Sequence, residues 1–103
     1  MSYPETIDID PLVGERLNQS HLPEWERLYS DPEVMRTLGG LRPAEWIEEN
    51  LAEHIKKWEE YGFGLWLFRH KDTGDFVGRG GLHVVFVEEA EVVEVGYALL
   101  PKY

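Results

Sequence analysis

An acidic residue within an apolar strand pattern is the sharpest chemical signal in this sequence. Glu94 lies in the segment Val92-Val93-Glu94-Val95-Gly96, where its carboxylate is either on the solvent face, the commoner case, or partly buried. A partly buried carboxyl group has a raised pKa, which suits it to act as a general base. Gly96 leaves open space on the same strand face, and either a ligand or a β-bulge could use that space. The spacing alone leaves both alternatives open.

Two other groups of residues are weaker candidates for chemistry. The four histidines, His21, His54, His70 and His83, lie in four different predicted elements. No two of them have the short spacing of a zinc site, so we expect no metal. Residues 78–81, Gly-Arg-Gly-Gly, interrupt a strand pattern and lack the Lys-Ser or Lys-Thr of a phosphate-binding loop. The favoured interpretation is a bulge or a backbone that closely approaches a neighbouring element.

The composition limits the class of protein. The chain has 103 residues, with 10 Lys or Arg and 20 Asp or Glu, and its formal net charge is −10. A chain of this length has room for one core, so we expect a single domain over residues 1–103. The acidic excess disfavours nucleic acid, whose phosphates need clustered cations. The lack of cysteine and of any long apolar run predicts a cytoplasmic protein with no membrane span.

The first forty residues are predicted to form short elements. These elements must help to position Glu94. Residues 1–11 are typical of a flexible lead-in, although Ile7 and Ile9 alternate with aspartates as a short edge strand would. Residues 12–22 are weakly strand-like. Two short helices follow, and their starts are indicated by Pro23 and by Asp31-Pro32-Glu33. We expect the second of them to end at Gly39-Gly40.

The strongest helix pattern runs from Pro43 to Tyr61. Its apolar residues fall at spacings of four, four and three and share one face: Ile47, Leu51, Ile55 and Trp58. After Gly62, which can take the left-handed conformation at a helix end, the hydrophobic period changes to two. Strands are predicted over residues 63–70, 76–87 and 91–100, which form an antiparallel meander. The fold class is therefore α+β, with the short helices and one long helix packed on the sheet.

The last predicted strand is rich in Val and Leu, and no later element covers it. An exposed apolar edge favours pairing with another strand. Three explanations are open: the strand pairs inside the sheet, it pairs with a second copy in a homodimer, or the chain is a piece of a longer protein. We favour the last two together. One functional hypothesis is therefore a non-enzymatic α+β domain that self-associates through this strand.

Four segments in series resemble a known family. They are Asp31-Pro32-Glu33-Val34-Met35-Arg36, the stretch from Trp58 to Trp66, the stretch from Thr73 to Leu82, and Val93-Glu94-Val95-Gly96-Tyr97-Ala98-Leu99. In this order and spacing they look like the N-terminal half of a GNAT-type N-acetyltransferase, in the branch similar to ribosomal-protein alanine N-acetyltransferases. The resemblance extends from about Leu12 to Tyr103. It implies a mixed sheet in which residues 91–100 line an acetyl-CoA cleft.

The resemblance also implies roles for particular residues. Glu94 would act as general base on an amine acceptor. The backbone of one segment would pair with the pantetheine arm of the cosubstrate acetyl-CoA: Ala98, Leu99 and Leu100. Acceptor specificity would come from the region of the short helices, represented by Met35, Leu38 and Leu41. Members of the family continue beyond the position of Tyr103 with a segment that binds the CoA pyrophosphate, so the chain is expected to be a truncated half-enzyme, weak or inactive alone.

Overall fold

The computed structural model describes residues 5–101, apart from the side chains of residues 83–87 and Glu94. The elements in chain order are β1 (Thr6–Ile9), β2 (Leu12–Arg16), a 3₁₀ helix (Gln19–His21), α1 (Leu22–Tyr29), α2 (Pro32–Met35), α3 (Ala44–Tyr61), β3 (Leu65–His70), β4 (Phe76–Val87) and β5 (Ala90–Leu99). The predicted α+β class and the antiparallel meander are confirmed.

The five strands form one sheet in the order β1-β2-β3-β4-β5. Every pairing among the described strands is antiparallel, so this part of the sheet is not the mixed sheet that the resemblance implies. Three of the four connections between neighbouring strands are short, as antiparallel hairpins allow, and the fourth, from β2 to β3, carries the helices. Between β4 and β5 the turn consists of Glu88 and Glu89 at φ 50° and 68°, as a tight hairpin requires. The β4–β5 hairpin extends past β3, whose pairing with β4 stops at Leu65↔Gly81.

The N-terminal residues form a strand where a flexible lead-in was the main expectation. Strand β1 pairs with β2 from Thr6↔Glu15 to Ile9↔Leu12 and lies at the edge of the sheet. Residues 1–4 lie outside the described part of the chain. The edge-strand alternative indicated by the alternation of Ile7 and Ile9 is therefore the one that the structure shows.

The start of α2 and the end of α3 follow the predicted signals, whereas the end of α2 does not. Asp31 caps α2, because its Oδ1 accepts hydrogen bonds from the backbone N–H groups of Glu33 at 2.9 Å and Val34 at 3.4 Å. Helix α2 ends at Met35, four residues before the expected Gly39. Helix α3 ends at Gly62, which has φ 79° and donates its N–H to the Trp58 carbonyl.

The helices pack against the face of the sheet that carries Leu65 and Leu67. The largest fully buried side chains come from helices and from β3: Trp25, Leu28, Met35, Leu51, Trp58, Leu65 and Leu67. Trp58 Nε1 donates to the carbonyl of Leu65 at 2.8 Å, which ties the end of α3 to the start of β3. On the other face, side chains such as Val95 and Tyr97 remain exposed. None of the helices within residues 5–101 has the length and apolarity to cross a bilayer.

Candidate functional site

Strand β5 has one unpaired side within the described part of the sheet. Its other side pairs with β4 along its whole length, and the N–H of Leu100 donates to the Val77 carbonyl at 2.9 Å. Backbone groups of an antiparallel strand alternate between its two sides. Ala98 therefore directs its N–H and C=O to β4, whereas Tyr97 and Leu99 direct theirs to the unpaired side. We call this unpaired side of β5 the free edge.

Side chains at the end of β5 alternate in their burial. Ala98 and Leu100 are buried against the helices, whereas Val95 and Tyr97 are 74% and 72% exposed. The structure therefore shows the exposed apolar edge strand that the sequence predicts. Such an edge can accept an extended chain, either from a ligand or from another protein.

A cavity of about 300 Å³ lies between α2 and the end of β5. One wall consists of Glu33, Val34, Thr37 and Leu38, and the other consists of residues 97–101. Glu33 is the only charged side chain among the described residues that line it. We call this space the α2–β5 cavity.

The Glu33 carboxylate has one weak ionic partner. Its Oε2 lies 3.6 Å from Nη2 of Arg36, and the two side chains are 61% and 73% exposed. An exposed ion pair of this kind contributes about 0–1 kcal/mol. The Glu33 carboxylate can therefore exchange Arg36 for a cationic ligand at little cost.

The α2–β5 cavity joins most of the predicted binding residues. The three residues predicted to bind the cosubstrate line it together with one predicted acceptor residue: Ala98, Leu99, Leu100 and Leu38. The other two predicted acceptor residues do not line it. Met35 is 1% exposed and packs in the core, and Leu41 is 60% exposed beyond the Gly39-Gly40 turn.

Glu94 lies on the same strand, further from the cavity. Its backbone is in register with His83 on β4, and its side chain is outside the described part of the structure. Leu99 is five positions further along the strand, a span of about 17 Å at roughly 3.4 Å per residue. Glu94 and the α2–β5 cavity thus mark two positions along one free edge.

Gly78 allows β4 to approach β5 closely beside the cavity. A Cβ atom on Gly78 would overlap the Ala98 carbonyl oxygen and lie 2.8 Å from the Leu99 Cα. Gly81 is similarly crowded, since a Cβ there would lie 2.5 Å from the carbonyl oxygen of Gly64. The close backbone approach predicted as one explanation of residues 78–81 is confirmed at Gly78 and Gly81.

A buried arginine lies under this part of the sheet. Arg79 is 9% exposed and pairs with Ala98 in register, and its Nε donates to the Tyr29 hydroxyl at 3.2 Å. Burial raises the pKa of Tyr29, and the adjacent Arg79 partly offsets that rise. Arg79 therefore connects α1 to β4, the strand that pairs with β5. No pattern in the sequence indicates this role.

A second cavity of about 540 Å³ lies near the start of the chain and contains none of the predicted site residues. Part of its charged wall is internally paired: Oε1 of Glu15 accepts from Arg69 Nε at 2.9 Å and lies 3.2 Å from His21 Nε2. His21 Nδ1 accepts the N–H of Asn18 at 3.2 Å, so the Nε2 proton faces Glu15. The described residues contain no group of three or more side chains that could hold a metal ion.

Solved structures of acetyltransferases share this arrangement of sheet and helices. A putative GnaT-family acetyltransferase from Bordetella pertussis aligns with a TM-score of 0.80 and 14% identity, over 97% of this chain and 62% of that one. An acetyltransferase from Agrobacterium tumefaciens strain C58 aligns with a TM-score of 0.79 and 19% identity, over 98% and 57%. A GNAT-family acetyltransferase from Bacillus anthracis aligns with a TM-score of 0.70 and 19% identity, over 95% and 55%. These likenesses show that the chain has the same fold as those proteins.

Sequence similarity then gives the family. Residues 12–103 match the family described as "Acetyltransferase (GNAT) domain", and the chain belongs to the GNAT acetyltransferase family. A curated relative, the uncharacterised Bacillus subtilis (strain 168) protein YkkB, is 33% identical over 70 residues, which are 68% of this chain and 41% of YkkB. The chain thus spans between 41% and 62% of the length of these relatives. Its assignment to a branch within the family stays a prediction.

Proposed function

We propose that this chain contributes the cosubstrate-binding strand of an enzyme that transfers an acetyl group from acetyl-CoA to an amine. The observation that carries this proposal is the free edge of β5, where the backbone groups of Tyr97 and Leu99 open beside the α2–β5 cavity. An extended chain that contains amides can pair with such an edge as an added strand would. The residues present therefore fit the pantetheine arm, and acetyl-CoA when bound would supply an activated acetyl group.

Glu94 is the proposed general base. An amine acceptor is an ammonium ion at neutral pH, and it must lose a proton before its nitrogen can attack a carbonyl carbon. Glu94 would take that proton directly or through a water molecule. Outward-facing N–H groups of the free edge would donate hydrogen bonds to an oxygen atom on which negative charge develops.

The free edge can be tested by titration calorimetry with acetyl-CoA. Leu99→Pro removes an N–H group on the free edge and leaves the hydrogen bonds to β4 in place. We expect the affinity for acetyl-CoA to fall about five- to tenfold, because one hydrogen bond of about 1 kcal/mol and its geometry are lost. Thr6→Pro is the matched control, because it removes an outward N–H from the opposite edge strand, β1. Equal affinities for both variants would contradict the proposal.

Glu94 can be tested separately by kinetics. We expect Glu94→Gln to lower turnover by about 10²–10⁴ and to leave acetyl-CoA affinity unchanged, since general-base catalysis contributes factors of that order. Glu91→Gln, on the same strand, is the control for charge.

Because the chain spans about half of its relatives' length, we propose that it is weak or inactive alone. Turnover is therefore best compared in a longer form of the protein as well. The proposed location is the cytoplasm, where acetyl-CoA is available.

Self-association through β5 is a second candidate function. It is favoured by the exposure of Val95 and Tyr97 on an unpaired edge. Two copies could pair their free edges about a twofold axis and form a homodimer. Val95→Pro would remove an outward donor, so a dimer seen by light scattering should dissociate. A dimer that survives this substitution unchanged would argue against pairing at β5.

A further inference from the structure

We propose that Arg79 is a positioning residue that holds the free edge of β5 in place, and that the hydroxyl group of Tyr29 anchors it to the layer of helices. That the edge held in this way pairs with acetyl-CoA rests on the proposed function. The position of the edge can be measured in the chain without ligand, so the two proposals can be tested separately.

Arg79 carries the only side chain in a run of four residues on β4. Residues 78–81 are Gly-Arg-Gly-Gly, so its three neighbours have no side chain that could pack against the helices. Glycine also leaves the backbone more conformational freedom than any other residue. Side-chain contacts can therefore fix this stretch of β4 to the layer of helices only through Arg79.

The backbone of Arg79 holds β5 between two residues of the free edge. Arg79 pairs in register with Ala98, whose N–H and C=O face β4. Two residues paired in this way in an antiparallel sheet exchange both of their hydrogen bonds. Ala98 lies between Tyr97 and Leu99, which direct their backbone groups to the free edge. The position of the Arg79 backbone therefore sets the position of those groups.

The side chain of Arg79 is buried and has a neutral partner. Its Nε donates to the Tyr29 hydroxyl at 3.2 Å, and its Cζ lies 6.0 Å from the centroid of the Tyr29 ring. Among the described residues, the Tyr29 hydroxyl is the one hydrogen-bond partner of this side chain. A buried charged group that loses such a partner is costly. Loss of the hydroxyl should therefore shift Arg79 toward solvent, and β4 with it.

The anchor itself is held on two sides. Tyr29 is buried, and the centroid of its ring lies 5.2 Å from that of Trp25 on α1 and 5.6 Å from that of Trp46 on α3. Tyr29 is also the last residue of α1, and Asp31 caps α2 two residues later. Because α2 forms the other wall of the α2–β5 cavity, the contact between Arg79 and Tyr29 relates both walls of the cavity to each other.

Acetyl-CoA affinity, measured by titration calorimetry, tests the link to binding. Tyr29→Phe removes the hydroxyl and keeps the ring. Trp58→Phe is the matched control, because it removes one buried hydrogen bond at the start of β3. Both variants should lower the urea midpoint, but only Tyr29→Phe should weaken acetyl-CoA binding, by about three- to tenfold, the scale of one hydrogen bond. An equal loss of affinity in both variants would overturn the proposal.

Hydrogen exchange of the Ala98 N–H, followed by NMR in the chain without ligand, tests the position of the edge. The exchange rate at Ala98 is divided by the rate at Leu67 on β3, which corrects for overall destabilisation. Arg79→Met keeps a long side chain without its donors and should raise this ratio about tenfold, whereas Trp58→Phe should not raise it. An unchanged ratio in Arg79→Met would refute the positioning role. If Arg79→Met does not fold, Tyr29→Phe provides the same comparison.

A double variant tests whether the two residues act through one contact. Once Arg79→Met has removed the donor, the hydroxyl of Tyr29 has nothing left to anchor. The double variant with Tyr29→Phe should therefore bind acetyl-CoA no more weakly than Arg79→Met alone. If the two losses of affinity multiply, the residues act independently and the proposal is wrong.

The outcomes separate this inference from the proposed function. An exchange ratio that depends on Arg79 and Tyr29, in a chain that does not bind acetyl-CoA, would support the positioning role and reject the proposed function. Acetyl-CoA binding that is indifferent to both residues, with an unchanged ratio at Ala98, would reject the inference and leave the proposed function standing.

Discussion

A single methyl group at Gly78 should displace the strand that carries the site. In the structure a Cβ on Gly78 would overlap the carbonyl oxygen of Ala98 and lie 2.8 Å from the Cα of Leu99. Both atoms belong to the backbone of β5, so no rotation of a side chain can relieve the overlap. Gly78→Ala must therefore widen the gap between β4 and β5 at Ala98 and Leu99.

The cost of this displacement can be estimated from overpacked cores. Forcing extra carbon atoms into a packed site costs about 1–3 kcal/mol and occasionally more, and we expect the upper end because backbone has to move. One kcal/mol corresponds to about 4–8 °C in Tm for a domain of this size. Gly78→Ala should therefore lower Tm by roughly 10–20 °C and weaken acetyl-CoA binding.

Gly74→Ala is the matched control for this experiment. Gly74 has φ +77°, and a Cβ atom there would have no neighbouring atom within 4 Å, so alanine meets backbone strain without steric overlap. That strain costs about 1 kcal/mol. Urea denaturation measures both free energies of unfolding. If Gly78→Ala is no more destabilising than Gly74→Ala, the argument from close approach is refuted.

Three further predictions concern the elements around the site. Trp58→Phe removes the buried donor to the Leu65 carbonyl and should lower the free energy of unfolding by about 1–3 kcal/mol in urea. Asp31→Ala removes the α2 cap and should cost about 1 kcal/mol, whereas Asp31→Asn should retain most of it. Because burial raises the pKa of Tyr29, the folded chain holds that proton more tightly than the unfolded chain. Stability should therefore fall as pH rises above about 10, and Tyr29→Phe should reduce this fall in urea titrations at alkaline pH.

The long elements could be predicted from the sequence because their patterns repeat. Helix α3 has four apolar residues at helical spacing, and the structure places it at Ala44–Tyr61, within a residue of the predicted bounds. Strands β3, β4 and β5 also follow their alternating patterns. By contrast, β1 is four residues long, and so short an alternation is equally compatible with a loop.

Side-chain directions in the region of the short helices could not be predicted in the same way. Leu38 lines the cavity, but Met35 faces the core and Leu41 faces solvent. Between the last two lie Gly39 and Gly40 at φ 99° and 88°, which redirect the chain. An apolar residue type indicates that burial is favourable, but it does not indicate which neighbour provides it.

Glu33 illustrates the same limit for a charged residue. In the sequence it supports a helix start, because an acidic residue favours the first turn of a helix. Its place in the cavity depends on packing between α2 and the end of β5, which are far apart along the chain. No local pattern encodes such a contact.

The two candidate functions of β5 compete for the same backbone groups. The N–H and C=O of Leu99 can pair with an amide-bearing ligand or with the strand of a second copy, and one set of groups cannot do both at once. If both interactions exist, acetyl-CoA at saturating concentration should dissociate a dimer that pairs through this edge, since the ligand binds the monomer alone. A dimer that persists at saturating acetyl-CoA must therefore use another surface, which leaves the free edge to the ligand.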